Sequence, residues 1–362
     1  MVLDPSKHGG PLARAEAFAA RLGIRLPILL APMAGASPPS LSIAVANAGG
    51  MGACGALLMD GVAIETWVNA FRRESQGEFQ INLWIPGPPP VRDAEAEWKH
   101  RDFLAGWGPP VAQELGDAVL PDFDAQCQAM LAARPKAISS IMGIYGPDFA
   151  SEMKARGILW FATATTVAEA RTAEAAGADA IIAQGMEAGG HRGAFEADEA
   201  ERKMVGLMAL IPQVADGVAL PVIAAGGIGD ARGVAAALTL GASAAMIGTG
   251  FLRCPEAGVH PAYAARLGAT EAHETVLTRA FTGRTGRSVS TQYVRAAAES
   301  QVAPAPYPVQ RGFTRPMREE ATRAGDAERM QMWAGQAARL ARAEPAAVVA
   351  QTLWDEARRL LG

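Results

Sequence analysis

The chain has 362 residues, of which 50% are hydrophobic and 19% charged, and its formal net charge is -4. This composition supports a large core and excludes a disordered chain. Because positive charge is not in excess, nucleic acid and anionic membranes are disfavoured as partners. The 3 cysteines form no C-x-x-C pair, and no signal-peptide core or apolar span is evident, so we expect a reduced, cytoplasmic protein.

Short apolar runs alternate with segments of helical period through residues 1–255, which is typical of parallel strands joined by crossover helices. Eight β/α repeats favour a closed barrel over an open doubly wound sheet, which has fewer strands. We therefore predict an α/β protein whose first 255 residues form a TIM (β/α)8 barrel. The predicted strands are 28–33, 50–56, 80–85, 137–142, 159–164, 180–185, 221–227 and 244–251.

A proline-rich insertion at residues 86–121 interrupts this alternation after the third predicted strand. A connection of this length is typical either of a lid or binding loop, or of a mobile surface segment. The amino-acid sequence leaves both interpretations open.

Beyond Pro255 the alternation stops, and we predict that residues 256–362 form a helical extension packed over the barrel. It contains a loop-like stretch, "FTGRTGRSVSTQY" (281–293), and a proline-rich stretch, "VAPAPYPVQRG" (302–312). We expect this extension to contribute to the substrate side of a site at the barrel mouth.

Ligands of TIM barrels bind at the face where the carboxyl ends of the strands meet. Glycines end the last two predicted strands, in "AAGGIGD" (224–230) and "MIGTGF" (246–251). A tight turn explains either cluster by itself, but together they indicate a phosphate site, because glycine lets backbone N–H groups approach an anion. A branched side chain at Gly227 is then expected to obstruct the phosphate. The predicted phosphate-side residues are Gly226, Gly227, Met246, Ile247, Gly248 and Thr249.

Polar and small residues at other strand ends suit a planar heterocycle. In "APMAGAS" (31–37), Pro32 and the small residues Ala34 and Gly35 form a flat backbone edge after the first strand, against which a ring can lie. The predicted cofactor-binding residues of this strand end are Ala31, Pro32 and Met33. The amides of Asn82 and Gln184 can donate to a ring edge and accept from it. Bonding within the barrel is the alternative for both amides, since buried polar groups find partners.

His191 follows Gly189 and Gly190 in "AQGMEAGGHRG" (183–193), directly after a predicted strand. The glycines permit a sharp turn that aims the imidazole at the barrel mouth, where it can act as a general base or hold an anion. A structural histidine bonded to a nearby loop is the alternative. No metal site is predicted, because no residue pair has ligand spacing. We interpret the other histidines as surface residues: His8, His100, His260 and His273.

With these motifs in place, the chain resembles nitronate monooxygenase, a family of FMN-dependent barrels. The resemblance covers nearly the whole chain. It runs through "APMAG", "AVANAGGMGACGA", "INLW", "AQGMEAGGHRG", "PVIAAGGIGDARGVAAALTLGASAAMIGTGFL", "FTGRTGR", "PAPYPVQRG" and "MWAGQAARLAR". The chain departs from the family at Met246, where Gln is more frequent, and in "GTGF", where the family more often has "GTAF".

The resemblance implies FMN as cofactor, with Asn82 and Gln184 at the isoalloxazine and ribityl group, Gly189 and Gly227 in backbone contact, and residues 246–249 around the phosphate. It implies that His191 faces the reactive side of the flavin, as base for neutral nitroalkanes and as partner of anionic nitronates. The implied reaction is oxidation of alkyl nitronates by dioxygen to a carbonyl compound and nitrite. We expect a monomer or homodimer with small-molecule partners. The expected apolar wall contains Met33, Trp84 and Met142.

The same barrel and glycine-histidine element also resemble flavin-dependent enoyl-ACP and quinone reductases, in which a nicotinamide reduces FMN. A non-catalytic barrel that binds flavin or another phosphate ligand is a third reading of the same motifs. The three alternatives differ in what reacts with the bound cofactor.

Overall fold

The computed structural model describes residues 10–362. The strands are β1 (Ile28–Leu30), β2 (Gly52–Gly55), β3 (Phe79–Trp84), β4 (Ala137–Ile141), β5 (Leu159–Ala164), β6 (Ala180–Gln184), β7 (Gly190–His191), β8 (Val222–Ala225), β9 (Ala244–Ile247), β10 (Thr275–Thr278) and β11 (Gly286–Val289). The α-helices are α1 (Pro11–Leu22), α2 (Pro39–Asn47), α3 (Gly61–Glu74), α4 (Ala94–Ala105), α5 (Phe123–Ala133), α6 (Pro147–Ala155), α7 (Val167–Ala175), α8 (Leu207–Gly217), α9 (Ala231–Thr239), α10 (Pro261–Ala269), α11 (Gln292–Glu299), α12 (Val309–Phe313), α13 (Arg315–Ala324) and α14 (Ala346–Leu361).

Eight parallel strands form the main sheet, in the order β1, β9, β8, β6, β5, β4, β3, β2. The two outer strands also meet, because the amide of Leu30 donates to the carbonyl of Met51 at 2.9 Å and the Met51 amide donates to Ile28 at 3.1 Å. This seam makes the sheet a nearly closed barrel, and the predicted TIM barrel is confirmed. All eight predicted strands are present, most of them shorter than predicted because their terminal glycines and prolines belong to loops.

Helix α1 covers the amino-terminal end of the barrel. Its apolar residues Phe18, Ala19 and Leu22 recur at helical spacing and pack with interior strand residues such as Phe161, whose ring centroid lies 6.4 Å from that of Phe18. Since this end is filled by side chains, the carboxyl ends of the strands remain for a ligand site.

The insertion at residues 86–121 is a packed helical segment. Asp93 caps α4 by accepting hydrogen bonds from the amides of Glu95 and Ala96, and a 3-10 turn follows at Gln113–Asp117. The segment packs against the extension beyond residue 255 through a shared apolar cluster. The prediction that His100 lies at the surface is therefore wrong, since it is 1% exposed on the packed face of α4. His8 lies outside the described residues.

The extension is less helical than predicted. Strands β10 and β11 form an antiparallel three-stranded sheet with β7, which is the Gly190–His191 segment after β6. The expected loop at 281–293 therefore contains strand β11. Its partner β7 is only two residues long, so it produces no periodic pattern in the sequence. This sheet attaches the His191 segment to the extension, and α14 packs outside the barrel on α9. Within residues 10–362, no helix combines the length and apolarity needed to cross a membrane.

Candidate active site

A cavity of about 550 Å³ lies at the carboxyl ends of the barrel strands, a size within the range of small-molecule sites. Its wall combines strand-end residues of the barrel with residues of the extension. Every candidate residue predicted from the sequence lies in this wall: Ala31, Pro32, Met33, Asn82, Gln184, Gly189, Gly190, His191, Gly226, Gly227, Met246, Ile247, Gly248 and Thr249.

One end of the cavity presents free backbone donors. Within the described part of the chain, the N–H groups of Gly226, Gly227 and Gly248 have no hydrogen-bond partner. The hydroxyl oxygen of Thr249 accepts from the amide of Gly335 at 3.0 Å, so its hydrogen remains available to a ligand. Free amides of this kind, two of which precede the amino terminus of α9, are the donor groups that suit an anion.

Glycine is required at both positions after β8 because φ is 105° at Gly226 and 66° at Gly227. A Cβ at Gly226 would lie 2.9 Å from the nitrogen of Ala188. A Cβ at Gly227 would meet the Cβ of Glu187 at 3.1 Å. A branched residue at Gly227 would therefore strain the backbone and press on the Glu187 side chain, and obstruction of the phosphate stays a prediction.

The two candidate amides have different surroundings. The Gln184 side chain binds the loop that follows β6, donating from Nε2 to the carbonyl of His191 at 3.1 Å and accepting at Oε1 from the amide of Gly193 at 2.8 Å. Asn82 donates from Nδ2 to the hydroxyl of Ser139 at 3.0 Å. Its Oδ1 has no partner among residues 10–362 and can accept from a ligand.

His191 lies between two aromatic rings, with its ring centroid 4.6 Å from that of Trp84 and 4.7 Å from that of Trp333. Its Nε2 is 2.8 Å from the hydroxyl of Thr282. Burial, followed by the charges of Arg284 and Arg311, lowers the pKa of His191 from 6.5 to about 3. The imidazole is therefore neutral near pH 7.

The extension adds cavity residues that the sequence patterns did not single out. The Tyr307 hydroxyl is buried and has no hydrogen-bond partner in the described part of the chain, and the Tyr307 ring centroid is 5.3 Å from that of Trp84. Arg311 has no acidic partner within the described residues, and burial is the main cause that lowers its pKa. Burial and then the charge of Arg311 lower the pKa of Arg318 to about 10.

These residues give the cavity a cationic and aromatic side. Tyr307 and Arg311 lie in the "PAPYPVQRG" segment and Arg318 lies beyond it, and no periodic pattern connects these residues to the barrel mouth. Met33 and Trp84 lie in the wall as expected, whereas Met142 is buried outside it and the neighbouring Ile141 takes part instead. Over the described range, no group of three or more His, Cys, Asp or Glu side chains is arranged to hold a metal ion.

A nearly closed α/β barrel with free amides at two strand ends and a half-buried histidine at the same face defines a barrel enzyme with its candidate site at the carboxyl end of the sheet. A sequence model of the nitronate monooxygenase family matches residues 16–356. The chain therefore belongs to the nitronate monooxygenase family and is an oxidoreductase.

Individual relatives agree with this assignment. The chain is 39% identical over 353 residues to nitronate monooxygenase of Pseudomonas aeruginosa, covering 95% of this chain and 99% of that protein. The crystal structure of nitroalkane oxidase from Streptomyces ansochromogenes superposes with a TM-score of 0.87 at 36% identity, covering 95% of this chain and 100% of that one. The structure of FabK from Thermotoga maritima gives a TM-score of 0.74 at 28% identity, with coverage of 95% and 96%.

Proposed function

We propose that this protein binds FMN and oxidises alkyl nitronates with dioxygen, releasing a carbonyl compound and nitrite. The observation that carries the proposal is the neutral His191 facing the same cavity as the unpaired cation of Arg311. This pairing suits a substrate that is an anion itself or becomes one on losing a proton. The names of the Pseudomonas and Streptomyces relatives, nitronate monooxygenase and nitroalkane oxidase, support the same substrate class.

The cavity fits the two ends of FMN. The free amides of Gly226, Gly227 and Gly248, with the Thr249 hydroxyl, would hold the phosphate. Asn82 would accept from the ring edge through its free Oδ1. When bound, FMN supplies the oxidant for the substrate and passes the electrons to dioxygen.

His191 is suited to take a proton from carbon. If Nε2 carries the hydrogen and donates it to the Thr282 hydroxyl, that hydroxyl can donate in turn to the carbonyl of Arg284 at 3.2 Å. Nδ1 then keeps its lone pair and has no partner among the described residues. It would act as general base on a neutral nitroalkane, whereas a nitronate needs no such proton transfer.

Binding of the nitronate oxygens falls to the extension. Arg311 and the unpartnered Tyr307 hydroxyl would donate to the two oxygens of the nitro group. Trp84 and Trp333 enclose His191 and keep water away from it, which strengthens these charged contacts. Gln184 holds the His191 backbone in place.

The test is to identify the reductant of the bound flavin. The purified protein is assayed for FMN by mass spectrometry, then mixed without oxygen with ethyl nitronate in one sample and with NADH or NADPH in others. We expect the flavin absorbance to bleach with the nitronate alone, and nitrite to appear once air is admitted. Bleaching by a nicotinamide alone would establish the reductase alternative, and a protein without flavin would remove the proposal.

A further inference from the structure

A buried contact joins the insertion at 86–121 to α12, which carries the cavity residue Arg311, between residues 210 apart in sequence. His100 of α4 lies with its Nε2 2.6 Å from Nε2 of Gln310 on α12. His100 is 1% exposed and Gln310 is 0% exposed. His100 is not part of the cavity wall, so any effect it has on a ligand must pass through Gln310.

The orientation of the Gln310 amide is determined by its other partners. Its Oε1 accepts from the amide of Ala305 at 3.0 Å, and its Nε2 donates to the carbonyl of Ala280 at 2.6 Å. The second hydrogen on Nε2 is therefore the one aimed at His100. Because a carboxamide nitrogen only donates, the imidazole must accept through an unprotonated Nε2.

The insertion also meets α12 at a close backbone approach. A Cβ at Gly312 would overlap the carbonyl oxygen of Leu115, and one at Gly116 would lie 2.7 Å from the ring of Phe313. Leu104 and Phe313 belong to one apolar cluster that the two segments share. Two glycines and a common core thus hold the insertion and α12 together.

This contact lies beside the residues that would bind substrate. Tyr307 and Arg311 line the cavity, and Gln310 lies between them in sequence. The hydrogen bonds of Gln310 reach Ala305 before this segment and Ala280 on a separate loop. The side chain of Gln310 therefore ties the segment that carries Tyr307 and Arg311 to the loop at Ala280.

We propose that the insertion at 86–121 is a fixed structural support, here called the buttress, for the cavity residues Tyr307 and Arg311. His100 is then a positioning residue that holds these two residues in the cavity wall through Gln310. The role in substrate binding rests on the proposed function, whereas the mechanical coupling does not. A lid would exchange its contacts as it opened, but this insertion is joined to the wall by a buried hydrogen bond and a shared core.

The test replaces His100 with two residues that carry a carboxamide on side chains of different length. In His100→Gln the carboxamide oxygen comes near the position of the ring Nε2 and can accept from Gln310. In His100→Asn the side chain ends near the position of Nδ1 and cannot reach it. Loss of one hydrogen bond changes an equilibrium constant roughly tenfold. We therefore expect His100→Asn to raise KM for ethyl nitronate and Kd for nitrite about tenfold. Its kcat and flavin content should stay near those of the wild type. In His100→Gln, KM for ethyl nitronate and Kd for nitrite should stay within about twofold of the wild-type values.

Gln310→Met provides a second approach if His100→Asn folds poorly. It keeps the side-chain length and removes both donors and the acceptor, so we expect a rise in KM and in nitrite Kd at least as large as in His100→Asn. Since the two residues act through one contact, the double variant should be no worse than the poorer single variant. Additive losses, or equal losses in His100→Asn and His100→Gln, would overturn the positioning role.

Hydrogen exchange of residues 305–313 in the flavin-loaded protein separates this inference from the proposed function. We expect faster exchange there in His100→Asn and wild-type exchange in His100→Gln. If the wild type oxidises no nitro compound, that same difference, with weaker nitrite binding, upholds the buttress while the proposed function fails. If the wild type oxidises nitronates and His100→Asn keeps its KM, nitrite Kd and exchange, the buttress is wrong and the proposed function stands.

Discussion

The imidazole of His191 lies nearly edge-on to Trp84, with their ring planes at 72° and centroids 4.6 Å apart. Trp333 approaches at 4.7 Å, so the histidine is flanked by aromatic rings, and within residues 10–362 no carboxylate lies beside it. This enclosure, with the positive charges of Arg284 and Arg311, favours the uncharged imidazole. A neutral base and a fixed cation therefore occupy one cavity.

Replacing His191 should separate neutral from anionic substrates. In His191→Asn we expect kcat/KM for nitroethane to fall by about 10²–10⁴, the usual contribution of a general base, with a smaller loss for ethyl nitronate and unchanged flavin content. Nitrite release from each substrate measures the two values. Equal losses on both substrates would contradict a role in proton removal.

Arg311 should govern binding of the nitronate anion. Arg311→Met removes a charge-assisted hydrogen bond, which predicts a rise in KM for ethyl nitronate of about 10- to 100-fold. Arg311→Lys keeps the charge without the planar donor fork, and we expect an intermediate KM. Nitrite binding, followed by calorimetry, should change in the same order. A KM in Arg311→Met equal to that of wild type would exclude Arg311 from the substrate site.

The barrel and its strand-end residues were predictable because their signals are local. "AAGGIGD" and "MIGTGF" each place glycines directly after an apolar run, and a barrel brings all such ends to one face. The Gly190–His191 pair follows β6 by the same logic. Strand ends of this kind can therefore be predicted from the sequence, because a short local pattern marks each one and the closed sheet brings them together.

The extension was less predictable because its contacts are non-local. His100 stands among the charged residues Glu97, Lys99 and Arg101, so the sequence of α4 shows no apolar face at this point. Its partner Gln310 lies 210 residues further along the chain. β7 is two residues long, too short for any periodicity. No pattern in the sequence indicates that Arg311 lies in the cavity wall.

The free amides after β8 predict a selective loss of flavin. Gly226→Ala strains a residue with φ of 105° and brings its Cβ to 2.9 Å from the nitrogen of Ala188, so the Gly226 and Gly227 amides should shift. Gly157→Ala is the matched control, because its φ is 69° and its Cβ meets nothing within 4 Å. Gly157→Ala should lose about 1 kcal/mol of stability from the positive φ, and Gly226→Ala should lose more, because its Cβ also meets backbone. We expect only Gly226→Ala to lose flavin on gel filtration, and equal retention would remove the phosphate assignment.

Burial of His100 predicts a measurable dependence of stability on pH. Burial lowers its pKa from 6.5 to about 4, so between these values the unfolded chain binds a proton that the folded chain does not. The free energy of unfolding therefore falls as the pH drops from about 6.5 towards about 4, by roughly 1.4 kcal/mol per pH unit.

His100→Gln removes this titration and keeps the acceptor for Gln310. Between pH 7 and pH 5 the wild type should lose about 2 kcal/mol more stability than the variant, as measured by urea unfolding at each pH. His191 is present in both proteins and contributes equally to both losses. Equal losses of stability in the two proteins would mean that folding does not lower the pKa of His100. That result would contradict the burial of His100 against α12 and the unprotonated Nε2 that accepts from Gln310.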